Sequence, residues 1–425
     1  MSTPDTGRSP LLETLRGLVI PVYLPWMTGG LGVAMLVPVL PVYLKDSGLS
    51  FTLVSVVLAA TGVGAMLGGL PIGALLARVG ENRVMLLSLV LMGGATAALG
   101  INTAVIGLTV LRFVHGAGSV GLRLSRQTFV TRKVRADVRG RSLALMGGSM
   151  RFATLIGPAI GGVLADQAGY RWTFAISGII TLVGLIPVLA SGIDKDSDDK
   201  GFDDKGFVAT VDGDNEAKLG LVAALRKHRR ALVIGGIGPA LVMSVRQGRL
   251  IILPLMGNAL DLSNTSIGIL VAVGTGADLL LFPVAGHLMD RYGRLTAIVP
   301  AFSLIGIGLL MLSTADTAAT VTIAGAVMGI GNGMSAGTML TLGTDLAPDD
   351  SPGQFLSALA SVQNLGRILG PLVVGWFADA VGLRASAVAL AVVMFLAITW
   401  IVVLIGETSE GHQGRFQRRS LDNRS

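Results

Sequence analysis

The stretch Gly286 to Arg294, with the sequence GHLMDRYGR, is a short charged segment between two long apolar runs. These runs cover residues 266–285 and 295–312. At about 1.5 Å per helical residue, each run is long enough to cross the hydrocarbon core of a bilayer. Glycine lets the chain turn sharply and lets two helices approach each other closely. The sequence therefore predicts two membrane-spanning helices joined by a turn whose aspartate and arginines lie at the membrane surface.

The pattern G-x-L-x-D-R-x-G-R in this segment resembles a loop motif of the major facilitator superfamily of secondary transporters. In that family the loop joins the second and third helices of a six-helix half. The segment GALLARVGENR, which begins at Gly73, 213 residues earlier, has the same shape. The resemblance implies a conformational role for the motif residues of both copies, which are Gly73, Arg78, Gly80, Gly286, Asp290, Arg291, Gly293 and Arg294.

The same offset of 213 residues recurs along the chain. It relates Pro41 to Pro254 and the pair Gly157–Pro158 to Gly370–Pro371. A single register that holds over most of the chain indicates an internal duplication. We therefore predict an all-α membrane protein with 12 transmembrane helices in two pseudo-symmetric six-helix bundles, the parallel repeat that the resembled fold implies.

The distribution of charge predicts the organisation of the chain in the membrane. Lys and Arg in short loops concentrate on one side, which places both termini and the central loop in the cytoplasm and the protein in the plasma (inner) membrane. The first span is expected at residues 18–44 and the tenth at 318–342. The predicted segments are a cytoplasmic N-terminal tail (1–17), an N-terminal six-helix bundle (18–190), a cytoplasmic central loop (191–230), a C-terminal six-helix bundle (231–405) and a cytoplasmic C-terminal tail (406–425).

Composition excludes several classes of protein. Hydrophobic residues make up 52% of the chain and charged residues 14%, with a mean hydropathy of +0.71, values outside those of soluble domains. The net charge of +7 is explained by membrane topology, so we expect no nucleic-acid partner. There is no cysteine, no phosphate-binding GxxxxGK[ST] and no metal-ligand spacing. We expect a protein that is not an enzyme, has no cofactor or metal, and uses the proton gradient as its energy source.

Ionisable residues inside the predicted spans are the candidates for function, because each costs at least a few kcal/mol to insert. Asp278 is the one deep carboxylate and His115 the one histidine well inside a span. Alone, Asp278 protonates near neutral pH and couples proton entry to transport; paired with Arg246 or Arg249, it is a structural ion pair. We take Asp278 and His115 as proton-coupling candidates, although His115 also fits a packed, hydrogen-bonded residue.

Arginines outnumber carboxylates in the spans. Arg112, Arg123 and Arg126 are 11 and 14 positions apart, close to multiples of the helical repeat, so they share one face of the fourth helix. Arg112 matches the superfamily's fourth-helix R-x-x-x-G motif, which implies a part in proton transfer, whereas Arg123 and Arg126 could also extend to the membrane surface. The predicted substrate-cavity residues are Arg123, Arg126, Arg151, Arg246, Gln247, Arg249, Asn364 and Arg367.

The fifth span contains GPAIGG, residues 157–162. It resembles the G-x-x-x-G-P-x-x-G-G motif of the superfamily's drug/proton antiporters, with Ala153 in place of the first glycine. This adds Gly157, Pro158, Gly161 and Gly162 to the conformational motifs and favours export. A departure is Ala77, which replaces the aspartate that helps to close the cytoplasmic side in the family. We expect its loss to weaken the outward-facing state or to shift that role to Asp290.

The sequence thus predicts a proton-coupled secondary active transporter, an exporter similar to the drug/proton antiporters, that works by rocker-switch alternating access. The expected partners are an amphipathic drug-like compound or an organic anion, protons and the lipid bilayer, with the protein monomeric. Two alternatives stay open: an organic-anion importer or exchanger with an arginine-lined cavity, and a transport-inactive membrane sensor or scaffold. The arginines favour the first of these and Ala77 favours the second.

Overall fold

A computed structural model describes residues 19–134, 136–190, 228–348 and 352–408. Every regular element in these ranges is a helix, so the all-α prediction is confirmed for them. The chain divides into two compact units, one of residues 1–36 and 63–202 and the other of residues 37–62 and 203–425. The predicted N-terminal tail, the C-terminal tail beyond residue 408, most of the central loop and the side chain of Asp290 lie outside the described residues.

The helices of the first half begin with a π-helical turn, Val19–Tyr23. The long segment Ala136–Val183 is broken at Gly169 (φ 80°, ψ 167°) into two helices, 136–168 and 170–183, and a short helix, Leu185–Ala190, follows. In chain order the helices are α1 (Leu24–Asp46), α2 (Phe51–Val79), α3 (Glu81–Ala98, with a 3-10 turn Leu99–Ile101), α4 (Val105–Lys133), α5 (136–168) and α6 (170–183).

The helices of the second half repeat this order. The tenth helix ends at Met334, and a short separate helix, Thr338–Asp345, follows it. In chain order the helices are α7 (Arg229–Ala259), α8 (Asn264–Tyr292), α9 (Arg294–Ser313), α10 (Ala318–Met334), α11 (Pro352–Ala380) and α12 (Leu383–Trp400, with a π-helical turn Ile401–Ile405).

Nine helical stretches in the described part of the chain are long and apolar enough to cross a membrane. One of them, Leu145–Ala190, contains α5 and α6 together. This is compatible with the predicted 12 spans. The expected tenth span at 318–342 is interrupted, because the helix breaks between Met334 and Thr338, where Gly337 adopts a φ of +81°.

Small residues set how closely neighbouring helices pack. In the first unit, Gly157 and Gly161 of α5 lie against Ala34 and Met35 of α1, and a Cβ at Gly161 would meet the backbone carbonyl of Met35. In the second unit, Gly366 and Gly370 of α11 lie in the same way against the backbone of α7 at Ala240 and Ser244. The glycines of the GPAIGG segment therefore serve close helix packing here.

Candidate functional site

A polar cluster in the second unit is built from α7, α8 and α10. Asp278 lies midway along α8 and is half-buried. Its Oδ2 accepts a hydrogen bond of 2.8 Å from the side-chain amide of Asn332 on α10. The neighbouring Gly333 lies against the backbone carbonyl of Asp278, where any Cβ would collide. The glycine therefore allows α10 to approach α8 closely enough for Asn332 to hold the carboxylate.

Arg249 of α7 brings a positive charge to the same region. Its Nη1 donates to the backbone carbonyl of Met328 at 3.1 Å, and Asp278 is close enough to act on its charge. The Nε of Arg249 is buried and has no hydrogen-bond partner among the described residues. Arg249 and Thr275 line a small cavity of about 20 Å³. That volume has room for roughly one water molecule, which could accept the unused N–H.

Arg246 lies three residues earlier on α7 and reaches the break in α10. Its Nη2 donates to the backbone carbonyl of Ser335 at 3.2 Å and to the Ser335 hydroxyl. A helix that ends leaves its last carbonyls without an intrahelical partner. Arg246 therefore donates to a carbonyl that the break in α10 makes available. The ring of Phe302 on α9 lies beside the guanidinium, with 5.8 Å between the ring centroid and the Cζ of Arg246.

These contacts give the cluster a defined chemistry. Two guanidinium groups, from Arg246 and Arg249 of α7, and one carboxylate, from Asp278 of α8, all bond to residues of α10 or its C-terminal end. The amide of Asn332 donates to the charged form of the carboxylate and so stabilises it. If Asp278 takes up a proton, the cluster loses its negative charge and becomes more strongly positive.

The first unit contains the arginines of α4. Arg126 is wholly buried, with 0% of its surface exposed, whereas Arg123 and Arg112 are half-buried. The alternative in which Arg126 extends to the membrane surface is therefore wrong. His115 is 3% exposed and its Nδ1 lies 3.1 Å from the Thr96 hydroxyl of α3, which is the packed, hydrogen-bonded arrangement.

The other predicted cavity residues lie on different helices and differ in their exposure. Gln247 lies between the two arginines of α7 and is half-buried, as are Arg151 of α5 and Asn364 of α11. Arg367, also on α11, is exposed. The hydrogen bonds of the cluster described above join α7, α8 and α10.

The two copies of the loop motif both adopt a tight turn. Gly80 precedes α3 with a φ of +83°, and Gly293 precedes α9 with a φ of +93°, values that favour glycine. The carboxylate of Glu407 accepts hydrogen bonds from the backbone nitrogens of Arg294 at 2.8 Å and Leu295 at 2.9 Å. Glu407 therefore caps the beginning of α9.

Sequence reasoning missed Asn332, Ser335 and Trp26. Asn332 and Ser335 lie in an apolar, glycine-rich run, IGNGMSAG, in which the two polar residues three positions apart were the available signal. Trp26 covers the guanidinium of Arg126, and nothing in the spacing of the sequence indicates that contact. Within the described ranges, no group of His, Asp or Glu side chains is arranged to hold a metal ion.

Comparison with known proteins identifies the relatives of the chain. The sequence model of the Major Facilitator Superfamily matches residues 27–245 and 235–421. An uncharacterized MFS-type transporter of Methanocaldococcus jannaschii is 20% identical over 372 residues, which are 86% of this chain and 92% of the relative. The uncharacterized MFS-type transporter YcaD of Shigella flexneri is 26% identical over 326 residues, 76% of this chain and 78% of the relative.

Solved structures share the fold. A bacterial homolog of the human lysosomal transporter Spinster, in an inward-facing and unoccupied conformation, superposes with a TM-score of 0.73 at 15% identity, covering 95% of this chain and 100% of its own. A POT family transporter in complex with a thioalcohol-conjugated peptide gives a TM-score of 0.71 at 15% identity, covering 91% and 96%. At this level of identity the likeness concerns the fold.

Proposed function

The chain belongs to the Major Facilitator Superfamily, and from this premise we propose that it is a proton-coupled secondary active transporter that exports its substrate. Members of the family are carriers that bind small molecules in a lipid bilayer, and they are not enzymes. The chain is accordingly a multi-pass membrane transporter. Proton coupling, export and the chemical class of the substrate are the parts that we propose.

The observation that carries proton coupling is the 2.8 Å hydrogen bond between Asn332 and Asp278. Through this bond a neutral amide donates to a carboxylate inside a membrane helix. The amide stabilises the charged form of the carboxylate but brings no positive charge that would oppose protonation. In the proposal, Asp278 binds a proton when the site is open to one side of the membrane and releases it to the other.

The arginines beside Asp278 determine what protonation does. With the carboxylate charged, Asp278 offsets part of the positive charge of Arg246 and Arg249; once it is neutral, that charge is unopposed. A substrate that interacts with the carboxylate is displaced by the proton, which is the coupling of an antiporter. In the proposal, Arg112 and His115 assist proton transfer and access to the site alternates between the two sides of the membrane.

Export is supported by the GPAIGG segment of α5, Gly157 to Gly162, which resembles the antiporter motif. The proposed substrate is an amphipathic, drug-like compound, and the proton gradient supplies the energy without a cofactor. The proposal includes a monomer in the plasma membrane with both termini cytoplasmic. It retains the two predicted bundles, 18–190 and 231–405, and the substrate-cavity residues of the sequence analysis.

A second candidate is transport of organic anions, by import or exchange. The observation that favours it is the excess of guanidinium groups over carboxylates in the cluster of α7, α8 and α10. In this case protonation of Asp278 strengthens anion binding, so the proton and the anion move in the same direction. The direction of coupling therefore separates the two candidates.

The test is transport in proteoliposomes under an imposed pH gradient, with two permanently charged probes. Ethidium represents an amphipathic cation and naphthalene sulfonate an organic anion. An antiporter accumulates ethidium in vesicles with an acidic lumen, whereas anion symport accumulates the sulfonate in vesicles with an alkaline lumen. Uptake of neither probe above that of empty vesicles, in either gradient, contradicts both candidates for these probe classes and favours the transport-inactive alternative.

The matched variants are Asp278→Asn and Asp261→Asn. Asp261 is exposed and has a φ of +56°, a conformation that asparagine also tolerates, so its replacement changes charge without straining the backbone. We expect Asp278→Asn to abolish gradient-driven accumulation and Asp261→Asn to leave it intact. Accumulation that persists in Asp278→Asn rules out Asp278 as the coupling residue.

A further inference from the structure

We propose that Arg126, together with Trp26 and Arg123, forms a binding site for an oxyanion, a carboxylate or phosphate group, inside the first unit. The site lies on α1, α4 and α5 and shares no residue with the cluster around Asp278. It therefore does not depend on proton coupling at Asp278, and it can be tested without transport.

The first observation is the environment of Arg126. Its guanidinium carbon lies 3.1 Å from the centroid of the Trp26 ring, so the two planar groups are in contact. Its Nε donates to the Met146 sulfur at 2.8 Å. A thioether sulfur is a weak acceptor, and an aromatic face attracts a cation without accepting its N–H groups in the plane. Neither contact neutralises the charge.

The second observation is that the outer nitrogens of this arginine are unused. Nη1 and Nη2 of Arg126 are buried and have no hydrogen-bond partner among the described residues. An arginine remains charged in proteins, and leaving a buried charge without a hydrogen-bonded partner costs several kcal/mol. The pair of nitrogens has the planar geometry that binds a carboxylate or phosphate through two parallel hydrogen bonds.

Other arginines of the chain have oxygen atoms as hydrogen-bond acceptors for their guanidinium groups. Arg246 and Arg249 donate to backbone carbonyls, and Arg132 and Arg294 form ion pairs with Glu81 and Asp345. Arg126 has neither kind of oxygen acceptor in the described part of the chain. A role in helix packing alone leaves its unsatisfied nitrogens unexplained, whereas a bound oxyanion satisfies them.

The walls of the site are fixed by hydrogen bonds of their own. The Trp26 indole donates to the backbone carbonyl of Met146 at 3.1 Å, and the Tyr23 hydroxyl donates to the carbonyl of Ser142 at 3.3 Å. These bonds tie α1 and the π-helical turn before it to α5. The aromatic groups therefore hold their orientation before a ligand arrives, which lowers the entropy cost of binding.

Arg123 indicates where a ligand reaches the site. It lies three residues before Arg126 on α4, is half-buried, and is close enough for the two positive charges to repel. A ligand that carries negative charge relieves this repulsion as well as satisfying Arg126. We infer that the anion approaches past Arg123, because Arg126 itself is enclosed.

The oxyanion can come from two sources, a dissolved organic or inorganic anion or the phosphate of a lipid headgroup. Full-length protein in detergent is titrated calorimetrically with benzoate and with inorganic phosphate, at constant ionic strength set by sodium chloride. Phosphate binding is followed in parallel by the change in tryptophan fluorescence. The same protein in nanodiscs of phosphatidylcholine, with and without phosphatidylglycerol, tests the lipid source through its thermal unfolding temperature.

The variants are Arg126→Gln, Arg126→Lys and the control Arg83→Gln. Arg83 is an exposed arginine of α3 in the same unit. We expect saturable binding in the wild type and in Arg83→Gln, at least a tenfold loss of affinity in Arg126→Gln, and an intermediate loss in Arg126→Lys, which keeps the charge but not the paired donors. Because Arg126→Gln removes an unpaired buried charge, we expect it to fold.

Each outcome bears on the proposal. A stabilisation that requires phosphatidylglycerol and is lost in Arg126→Gln, without binding of the soluble anions, supports the site with a lipid as its ligand. Equal affinity in the wild type and Arg126→Gln overturns the proposal, as does the absence of binding to every anion and lipid tested. Failure of Asp278→Asn to affect transport leaves this result unchanged, so the two proposals fail separately.

Discussion

Arg294 and Asp345 form an ion pair with a nitrogen–oxygen distance of 3.1 Å. The residues 213 positions earlier, Glu81 and Arg132, also form an ion pair, at 3.2 Å, but with the charges exchanged. Each pair joins the first residue of the helix after a motif loop to a residue about 50 positions later. The duplication has therefore preserved the contact while reversing its sign.

The exchange of charge has a consequence for the two helices. Glu81 places a negative charge in the first turn of α3, where the partial positive charge of the helix N-terminus favours it. Arg294 places a positive charge at the same point of α9, which has no acidic residue in its first turn. Glu407 provides the missing negative charge from beyond α12.

We expect the Glu81–Arg132 pair to show a measurable coupling free energy. Glu81→Gln and Arg132→Gln, singly and together, form a double-mutant cycle on thermal or denaturant unfolding. The side chains are 12% and 43% exposed, so the coupling is expected at about 0.2–1 kcal/mol and to decrease at high salt. If the losses in unfolding free energy of the two single variants add up to that of the double variant, the two side chains do not interact. The Arg294–Asp345 pair gives the matched cycle.

We expect Glu407→Ala to destabilise the beginning of α9. The replacement leaves the backbone N–H groups of Arg294 and Leu295 without their acceptor, at a cost of about 1 kcal/mol. Hydrogen exchange measured by mass spectrometry is expected to accelerate in peptides that contain these two residues. Glu407→Gln retains an acceptor oxygen and is expected to have a smaller effect. Unchanged hydrogen exchange in the alanine variant would mean that Glu407 does not stabilise the first turn of α9.

Asp379 makes a similar contact at the beginning of α2. Its two carboxylate oxygens accept from the backbone nitrogens of Phe51 at 2.9 Å and Thr52 at 2.8 Å, within the second unit. We expect Asp379→Ala to accelerate hydrogen exchange in the first turn of α2, and Asp379→Asn to do so less, because the asparagine keeps one acceptor and loses the charge. Asp316→Asn is the control, since Asp316 is an exposed aspartate that pairs with Arg384. Equal exchange in all three variants refutes the cap.

We expect Asn332→Leu to move the pH profile of transport to higher pH. Leucine is close to asparagine in size but donates no hydrogen bond, so the charged form of Asp278 loses a stabilising contact and the protonated form is favoured. The measurement is the initial rate of probe uptake into proteoliposomes as a function of pH. Ser357→Ala is a control, because Ser357 is exposed on α11 and its hydroxyl bonds only the Gly353 carbonyl of its own helix. A reduced rate with an unshifted profile indicates that Asn332 serves packing alone.

Much of the architecture could be predicted because it depends on local properties of the chain. The apolar runs on either side of GHLMDRYGR predicted membrane helices by length alone, and the structure has α8 and α9 there. The fold class and the superfamily are confirmed. The break in the tenth span was not predicted, because residues 335–337 are small and do not interrupt the hydropathy, although Gly337 ends the regular geometry.

The candidate site could be predicted in part. The sequence singled out Asp278, Arg246 and Arg249 because charges are costly in a membrane helix and are therefore conspicuous in an apolar run. It could not pair Asp278 with Asn332, which is 54 positions away on another helix. Nor could it distinguish an Arg126 that reaches the surface from one buried beneath Trp26, because both positions suit an arginine six residues before the basic pair Arg132 and Lys133.

The sequence by itself determined that the chain is a duplicated, helical membrane protein, since hydropathy, glycine spacing and the 213-residue register are one-dimensional properties. The tertiary structure alone decided which polar groups meet. The amide of Asn332 reaches Asp278 because Gly333 lets two helices approach, and Arg126 lies beneath Trp26 because α1, α4 and α5 converge there. The physical reason is that hydrogen bonds and charge pairs act over a few ångströms, and only the packing of helices brings residues so far apart in the chain within that range.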